Sequence, residues 1–367
     1  MGQHRVRRKL STVSLIVTRA PFRVSFAGGG TDLPSFYERE YGAVLSTTID
    51  KYVYVIINRR GPLFKDGIGL SCSPLSPIRG DVEGLERSSD PFQYPIRVSY
   101  SSTENVQKVE ELQHPIVREA LRLLEIDDPM DIATVADVPA RTGLGSSSSF
   151  AVALLHAVHT FKGEEVSVAQ LASEAAHIEI DRLGRPIGKQ DHYAAAFGGL
   201  NLFRFHTDGD VSVQPLSPPE LAEQYLFPYI MLLYTGVLRD ASSVLAEQKA
   251  KTADRYVDLI AIRDHAHQLE RMLRDGFEIE ELGRLLHKTW LHKRNLASGI
   301  SNSFIDRWYE RALAAGALGG KICGAGGGGF LLLVTRPEKR QFVREALAEL
   351  PAMEVAFEPR GSQLLLS

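Results

Sequence analysis

The stretch PARTGLGSSSS at residues 139–149 joins two glycines to four consecutive serines, and an apolar segment, FAVALLHAVHTF, follows it. Gly143 and Gly145 permit positive φ angles and let main-chain N–H groups approach a ligand closely. A helix that begins at the serines would offer unpaired N–H donors and a partial positive charge to a phosphate. The familiar phosphate loop has a lysine after its second glycine, where this chain has Ser146 and Ser147. The stretch predicts a phosphate loop without a lysine, and a serine-capped helix is the alternative.

A second glycine-rich stretch, APFRVSFAGGGTDLP at residues 20–34, ends a predicted strand with three glycines, a threonine and an aspartate. Such a turn brings the carboxylate of Asp32 to the edge of a cleft with little side-chain bulk around it. A carboxylate there can accept hydrogen bonds from neighbouring sugar hydroxyls. On this segment alone, a hairpin turn in which Asp32 bonds to its own backbone is the favoured interpretation.

The third stretch, HIEIDRLGRPIGKQDHYAAAFGG at residues 177–199, carries acids on both sides of a Pro/Gly turn. Glu179 and Asp181 lie on a predicted helix. Asp191 follows the turn, is preceded by Lys189, and is followed by small residues that leave space beside it. A solvated helix face is the favoured interpretation of Glu174 and Asp181, and the pattern alone does not separate Glu179 and Asp191 from that interpretation.

The fourth stretch, KICGAGGGGFLLL at residues 321–333, has five glycines within six residues between two apolar segments. Each glycine costs chain entropy on folding, a cost that is tolerable where backbone must lie against a ligand. The alternative is a loop that is merely flexible. Cys323, between Ile322 and the glycine run, is expected to be a small buried hydrophobe.

The elements that must position these stretches alternate without a strict βαβ order, which predicts the α+β class. Residues 73–95 are polar and rich in proline and glycine, which predicts a surface excursion. Strands are predicted at 12–29 (broken at Pro21), 42–60 (two strands), 130–140, 226–234, on both sides of the glycine run and at 352–358. Helices are predicted at 103–125, 147–161, 168–183, 240–275, 279–298, 303–316 and 337–349.

The chain has 367 residues, which favours two domains, and we expect the boundary between 13–210 and 211–367. A net charge of −3 gives no general attraction to nucleic acid or membrane. The two cysteines lie far apart in the sequence, which fits a reducing cytoplasm without a disulfide framework. Residues 1–12 are basic and are expected to be a disordered tail, with a nucleic-acid-binding arm as the alternative.

These four stretches, in this order, resemble the GHMP kinases. PARTGLGSSSS is similar to the phosphate loop of that family, and KICGAGGGGF is similar to its C-terminal glycine motif. The resemblance extends over residues from about 18 to 335. It implies a ribosomal-protein-like β-α-β N-terminal domain and a ferredoxin-like C-terminal domain, with the active site between them. Within the family, the motifs are most similar to kinases that act on heptose 7-phosphates.

The resemblance implies a role for each residue that matches a family motif. The serine loop wraps the ATP phosphates, a serine and a glutamate hold Mg²⁺, and the other glycine-rich segments contact the sugar. The residues are Gly143, Leu144, Gly145, Ser146, Ser147 and Ser148 for ATP, Ser147 and Glu179 for Mg²⁺, Asp191, Arg23 and Lys189 for catalysis, and Gly29, Gly30, Thr31, Asp32, Gly326 and Gly327 for the sugar. Asp191 either takes the proton or only orients the hydroxyl, because a carboxylate beside a cation is a poor proton acceptor.

The implied reaction moves the γ-phosphoryl group of ATP to the anomeric hydroxyl of a heptose that already carries a 7-phosphate. Lys293 and Arg294, in WLHKRNLASGIS (290–301), are the cations expected to bind that phosphate. Cations are favoured at a helix C-terminus in any case, which is the alternative explanation. Fucose- or galactose-type sugar-1-kinases share the first motif, and a non-catalytic sensor of sugar or nucleotide is the rival of a different class.

The expected partners are therefore small molecules, ATP and a sugar phosphate, with no nucleic acid and no membrane, and a homodimer is an option. His265 and His267 are two residues apart on a predicted helix and point to different faces. They give no pattern for zinc or iron, and Mg²⁺ is expected to arrive with ATP.

Overall fold

The computed structural model describes residues 14–60, 94–216, 220–237 and 241–367. The predicted basic tail, Cys72 and most of the predicted surface excursion lie outside these residues. None of the helices in the described ranges combines the length and the apolar character needed to span a bilayer.

Eight strands of the described residues form one large sheet. They are β1 (Leu15–Ala27), β2 (Gly42–Arg59), β3 (Ile96–Ser99), β4 (Thr103–Val106), β5 (Met130–Ala136), β6 (Leu200–Phe205), β7 (Val211–Pro215) and β12 (Gln363–Leu366). The order is β12-β1-β2-β5-β3-β4, and β6, which carries β7, pairs with the first half of β2 while β5 pairs with its second half. β1 and β2 are rich in β-branched and aromatic residues, which pack well on a pleated surface.

The predicted break at Pro21 is wrong, because β1 continues through the proline. The register with β2 shifts between Pro21 and Phe22, so the proline sits at an irregularity of the ladder, where its missing N–H is tolerated. The two strands predicted over 42–60 are likewise one strand, β2. The long β1–β2 pair therefore carries Arg23 on β1, and the turn that holds Asp32 connects the two strands.

Five helices complete this part of the chain: α1 (Pro34–Tyr37), α2 (Pro115–Leu123), α3 (Ser146–Lys162), α4 (Val168–Ala176) and α5 (Gln190–Phe197). The predicted helix at 103–125 is wrong in its first half, which forms β4. α2 begins only at Pro115, a residue suited to a first helical turn, and the His114 side chain accepts a hydrogen bond from the backbone N–H of Val117. The predicted helix at 168–183 changes after α4 into a π-helical segment, His177–Arg182.

A second sheet contains β8 (Ile230–Tyr234), β9 (Ala317–Ile322), β10 (Phe330–Thr335) and β11 (Ala352–Met353), in the order β11-β8-β10-β9. The helices of this half of the chain are α6 (Glu220–Tyr225), α7 (Ala241–Ala250), α8 (Tyr256–Asp275), α9 (Ile279–Asn295), α10 (Ser303–Ala314) and α11 (Arg340–Ala346). The chain order, strand, helices, two strands, helix, strand, is ferredoxin-like, as the resemblance implies. The single helix predicted at 240–275 is two helices, α7 and α8.

The two sheets divide the chain differently from the expected boundary at 210/211. β7 lies after that boundary yet pairs with β6, and the final strand, β12, returns to the edge of the first sheet beside β1. β12 was not predicted, and the strand predicted at 352–358 is limited to β11 and one bridge from Phe357 to Ile49. The last segment therefore ties the end of the chain to the first sheet.

Candidate active site

The serine loop leads directly into the N-terminus of α3. Gly145 caps this helix with φ 80° and ψ 22°, and Gly143 has φ 84°, both left-handed conformations that favour glycine. The N–H of Ser149 makes a helical bond to the carbonyl of Gly145 at 2.9 Å. The turn of helix before it therefore presents its N–H groups at the loop, the arrangement that suits a phosphate.

Arg23 and Asp191 form a bidentate ion pair beside this loop. Arg23 Nε donates to Asp191 Oδ1 at 2.6 Å, and Nη2 donates to Oδ2 at 2.7 Å. Arg23 Nη1 also donates to the carbonyl of Gly143 at 2.7 Å. Asp191 lies on the first turn of α5. The structure thus brings together a strand, a loop and a helix that are far apart in sequence, and fixes one carboxylate at the mouth of the phosphate loop.

Asp32 lies next to this pair and is almost fully buried. Burial raises the pKa of its carboxyl, and the nearby charge of Asp191 raises it further. The N–H of Gly30 donates to Asp32 Oδ1 at 2.9 Å, and the N–H of Gln190 approaches Oδ2 at 3.3 Å. The GGGTD turn and the segment that carries Asp191 therefore meet at one carboxylate, a suitable acceptor for sugar hydroxyls.

Gly188 is packed against Asp32 so closely that a Cβ atom at this position would overlap the carboxylate. We predict that Gly188→Ala displaces Asp32 and raises KM for the sugar about tenfold, the effect of one lost charge-assisted hydrogen bond. KM for ATP should stay unchanged. Gly184→Ala is the control: a Cβ there meets nothing within 4 Å, and because φ at Gly184 is 63°, this variant reports backbone strain without a clash on Asp32. Steady-state kinetics with each substrate varied in turn checks this, and an equal rise in both KM values would contradict it.

A second polar cluster surrounds Glu179, whose side chain is fully buried. Ser147 Oγ donates to Glu179 Oε1 at 2.5 Å, Ser148 Oγ donates to Oε2 at 3.2 Å, and His192 Nε2 lies 2.9 Å from Oε2. Arg185 completes the cluster with an ion pair to Oε1. Burial opposes ionisation, but the hydrogen bonds from His192 and Ser147 outweigh it and lower the pKa of Glu179 to about 2. The cluster therefore keeps a carboxylate charged directly beneath the phosphate loop.

The donor set of this cluster fits Mg²⁺. A hydroxyl and a carboxylate are hard oxygen ligands, and the guanidinium that bridges them demonstrates that the position accepts a cation. The part of the chain that the structure describes contains no group of three or more His, Cys, Asp and Glu side chains placed to hold a metal by themselves. A cation here would need further oxygen ligands, which phosphates can supply.

Two family models match the chain, and the first of them includes the serine loop, Glu179 and Asp191. The model of the GHMP kinase N-terminal domain matches residues 114–199, and that of the GHMP kinase C-terminal domain matches residues 269–352. The chain thus carries both the N-terminal and the C-terminal domain of the GHMP kinases. It is a kinase, and its mixed α/β architecture is the GHMP kinase fold, as the sequence motifs predicted.

Several kinases are similar to this chain over 90% or more of its length. The D-glycero-alpha-D-manno-heptose 7-phosphate kinase of Campylobacter jejuni is 29% identical over 335 residues, 90% of this chain and 93% of the relative. The L-fucokinase/L-fucose-1-P guanylyltransferase of Bacteroides fragilis is 25% identical over 90% of this chain, which spans only 36% of that protein. A D-glycero-D-manno-heptose 1-phosphate kinase from Bacteroides thetaiotaomicron superposes with a TM-score of 0.73 at 23% identity, over 96% of this chain and 99% of the other.

Lys189, expected beside Asp191, directs its ammonium elsewhere in this kinase. Its Nζ donates to the carbonyl of Gly209 at 2.6 Å and lies 5.1 Å from the ring centre of Tyr37. Burial lowers the pKa of Lys189. Only its backbone approaches the site, through an N–H 3.4 Å from the carbonyl of Asp32. The structure therefore does not bring the lysine charge to the Arg23–Asp191 pair.

Lys293 and Arg294, adjacent on α9, diverge. Lys293 is buried and donates to the carbonyls of Ile322 and Gly324 at 3.0 and 2.6 Å. Arg294 pairs with Asp306 at 3.0 Å and lines a surface depression that Lys293 does not reach. The structure does not bring these two cations together as one phosphate clamp.

Burial lowers the pKa of Lys293 to about 8 from its ordinary value of 10.5. The unfolded chain then binds more protons than the folded one between these values, so the contribution of Lys293 to stability rises with pH across this window. We predict that the free energy of unfolding, compared between wild type and Lys293→Met, changes by about 3 kcal/mol from pH 8 to pH 10.5, in favour of wild type at high pH. Urea unfolding measures it. Lys288→Met, at an exposed position of the same helix, should show no such change.

The glycine run packs against other backbone. Cβ atoms at Gly324 and Gly329 would overlap Gly143 and Thr142 of the serine loop, and the N–H of Gly327 donates to the carbonyl of Ile300 at 2.8 Å. A Cβ at Gly326 would press on the same Ile300. Close backbone contact thus explains these glycines without a ligand, and the run is packed on the phosphate loop. The buried position predicted for Cys323 is confirmed.

Three residues of the site were missed by sequence reasoning. Lys321 on β9 is almost fully buried and donates to the backbone carbonyl of Ser25 at 2.6 Å, beside Arg23 on β1. Burial lowers its pKa well below the ordinary value. A lysine inside an apolar strand was a visible signal for it. His192 and Arg185, the partners of Glu179, gave none, because their contact depends on how the 177–192 segment turns back.

Proposed function

We propose that this kinase transfers the γ-phosphoryl group of ATP to the anomeric hydroxyl of D-glycero-D-manno-heptose 7-phosphate. The product, the 1,7-bisphosphate, would serve the synthesis of nucleotide-activated heptose for capsule or surface polysaccharide. The observation that carries the proposal is the Arg23–Asp191 pair between the phosphate loop and the buried carboxylate of Asp32. The similarity to the Campylobacter jejuni heptose kinase over 90% of the chain supports the choice of sugar.

The nucleotide phosphates would lie at the N-terminus of α3. Backbone N–H groups of Gly143, Leu144, Gly145 and the first serines would contact them, aided by the positive end of the helix dipole. Ser147 and Glu179 would hold Mg²⁺, which supplies charge neutralisation for the phosphates. Ser149 is engaged elsewhere, since its Oγ donates to the carbonyl of Pro21 at 2.8 Å. The first three serines would therefore offer backbone N–H groups to the phosphates, and only Ser147 would add its hydroxyl, to the metal; the hydroxyls of Ser148 and Ser149 serve the structure.

Positioning and charge neutralisation contribute most to phosphoryl transfer. The anomeric oxygen forms a bond to the γ-phosphorus, the bond to the bridging oxygen of ADP breaks, and the hydroxyl proton is released as the new ester forms. Asp191 would accept the hydrogen bond of that hydroxyl and aim it. Because both Asp191 oxygens already accept from Arg23, we favour the orienting role over that of a strong base. Arg23 would also stabilise charge on the transferred group.

The sugar would lie against Asp32 and the backbone of Gly29, Gly30 and Thr31. Asp32 is almost fully buried, so sugar hydroxyls rather than bulk water would become the partners of its carboxylate. Gly326 and Gly327 would border the sugar from the glycine run. Arg294 is the cation proposed for the 7-phosphate, since it is partly exposed while Lys293 is bound by two carbonyls.

A coupled assay of ADP release over a panel of acceptors tests the proposal. The panel contains heptose 7-phosphate, heptose 1-phosphate, unphosphorylated heptose, fucose and galactose, and ³¹P NMR identifies the product. Preference for heptose 7-phosphate with a new anomeric phosphate is the expected result. Preference for fucose or galactose would favour the sugar-1-kinase alternative, and binding without ADP release would favour a sensor. A raised KM in Arg294→Gln for phosphorylated sugars only would support the clamp.

A further inference from the structure

One cation bridges the two oxygens that we assign to Mg²⁺. Arg185 Nη1 donates to Ser147 Oγ at 2.8 Å and pairs with Glu179 Oε1, the same oxygen that accepts from Ser147. The guanidinium nitrogen therefore lies where a hydroxyl and a carboxylate converge. A metal ligated by the same two atoms would occupy that position.

The Glu179 side chain is held by buried hydrogen bonds, whereas the Arg185 side chain is partly exposed to solvent. Glu179 Oε2 is bound by Ser148 and His192, so Oε1 is the oxygen left for an exchangeable partner. The Glu179 side chain is 0% exposed, whereas that of Arg185 is 32% exposed. The backbone N–H of Arg185 is tied to the carbonyl of Glu179 at 3.0 Å, which anchors the start of the side chain. The head of Arg185 can thus withdraw toward solvent while its backbone stays in place.

We propose that Arg185 is a stand-in cation, which occupies the divalent-cation position on Ser147 and Glu179 and is displaced when metal and nucleotide bind together. The proposal rests on the proposed function as an ATP- and Mg²⁺-dependent kinase. Mg²⁺ requires its oxygen ligands at about 2.0–2.1 Å, and an Arg nitrogen on the same two oxygens would face it at a strongly repulsive distance. The two cations therefore exclude each other.

This exchange has a physical purpose in the free enzyme. A buried carboxylate oxygen that loses its partner is destabilising, so Glu179 Oε1 needs a partner in every state, while His192 stays on Oε2. Arg185 supplies one before the metal arrives and keeps Ser147 and Glu179 in ligand geometry. The metal then competes with Arg185, because part of the free energy of metal binding is used to displace the guanidinium. The increase in nucleotide affinity caused by a divalent cation should therefore be smaller with Arg185 than without it.

Isothermal titration calorimetry of ADP binding measures that increase. The compared ratio is the Kd in excess EDTA divided by the Kd in excess Mn²⁺. We expect the ratio to be about tenfold larger in Arg185→Gln than in wild type, the effect of one charge-assisted hydrogen bond. Arg182→Gln is the matched control: it removes the same charge three residues away, from a side chain that pairs with Glu119. Its ratio should equal that of wild type.

An equal or smaller ratio in Arg185→Gln would overturn the proposal while leaving the proposed function intact. Absence of ADP binding to any of the proteins, in EDTA and in Mn²⁺, would overturn both. Arg185→Met keeps the apolar stem of the side chain and provides a second variant if the glutamine variant folds poorly. It should give the same enlarged ratio, and a wild-type ratio in a folded Arg185→Met protein would also contradict the proposal.

Discussion

Asp191→Asn is expected to lower kcat by about 100-fold, the effect of a misaligned attacking hydroxyl, with KM for ATP nearly unchanged. The amide has the shape of the carboxylate, but only one of its two polar atoms can accept a hydrogen bond. Arg23, which now donates to both carboxylate oxygens, would face an NH₂ group and lose one of its two bonds. The attacking hydroxyl would lose its acceptor at the same time. Initial rates of ADP release at saturating heptose 7-phosphate measure the effect.

Lys189→Met is the companion variant, because it removes the cation that is adjacent in sequence but remote in space. Its ammonium contacts Gly209 and Tyr37, so kcat should remain within a few-fold of wild type. A loss below about tenfold in Asp191→Asn would restrict Asp191 to a minor orienting role. A large loss in Lys189→Met, with the fold intact, would show that Lys189 approaches the reacting groups during turnover.

Periodic elements of this fold were predictable from the sequence, and contacts between distant segments were not. The strand and helix types around the serine loop and the glycine run follow from alternation and apolar runs. β4 was mistaken for helix because its four residues, TENV, show no alternation that outweighs the helical pattern after them. β12 was missed because an edge strand gains its partners from β1, about 345 residues earlier, and leaves its leucines partly exposed.

The same difference holds for the site: the identities of its residues were predictable from the sequence, and their contacts were not. Arg23, Asp32, Asp191 and the serine loop could be named in advance because each belongs to a motif that is continuous in sequence. Their mutual contacts, and the wrong direction expected for Lys189, depend on how α5 turns back onto β1. The glycine run also shows this limit, since its composition indicated a ligand and its glycines pack against the backbone at Thr142 and Gly143. The charged residues themselves can be identified from the sequence, but their positions in the site depend on the tertiary structure.

A phosphate loop that lacks its lysine must obtain positive charge elsewhere. Arg23 enters from β1 and contacts the carbonyl of Gly143, and Arg185 enters from the far side through Ser147. The N-terminus of α3 adds the helix dipole. Before nucleotide binds, the charge is thus shared between two arginines and a helix end. By our proposal the divalent cation replaces Arg185 when nucleotide binds, so single charge removals at Arg23 and Arg185 should have different effects.

Glu179→Gln should combine the largest loss of stability with a large loss of activity. Removing one partner of a buried ion pair leaves His192 and Arg185 beside an uncharged group, which typically costs about 3–5 kcal/mol of unfolding free energy. Loss of the metal carboxylate should also lower kcat about a thousandfold, since a bound cation supplies several kcal/mol of charge stabilisation. Urea unfolding measures the first effect, and ADP release with Mg²⁺ varied measures the second. Asp181→Asn, two residues away and exposed, should change neither.

Ser147→Ala separates the two effects. It deletes one proposed metal ligand but leaves Glu179 paired with His192 at 2.9 Å and with Arg185, so stability should fall far less than in Glu179→Gln. Activity should still fall, and higher Mg²⁺ should restore part of it, because the remaining ligands bind the cation more weakly. If Ser147→Ala retains full activity at low Mg²⁺ while Glu179→Gln unfolds, Glu179 is a structural carboxylate and the metal lies elsewhere. If both lose activity and only Glu179→Gln loses stability, one buried carboxylate serves the core and the cation together.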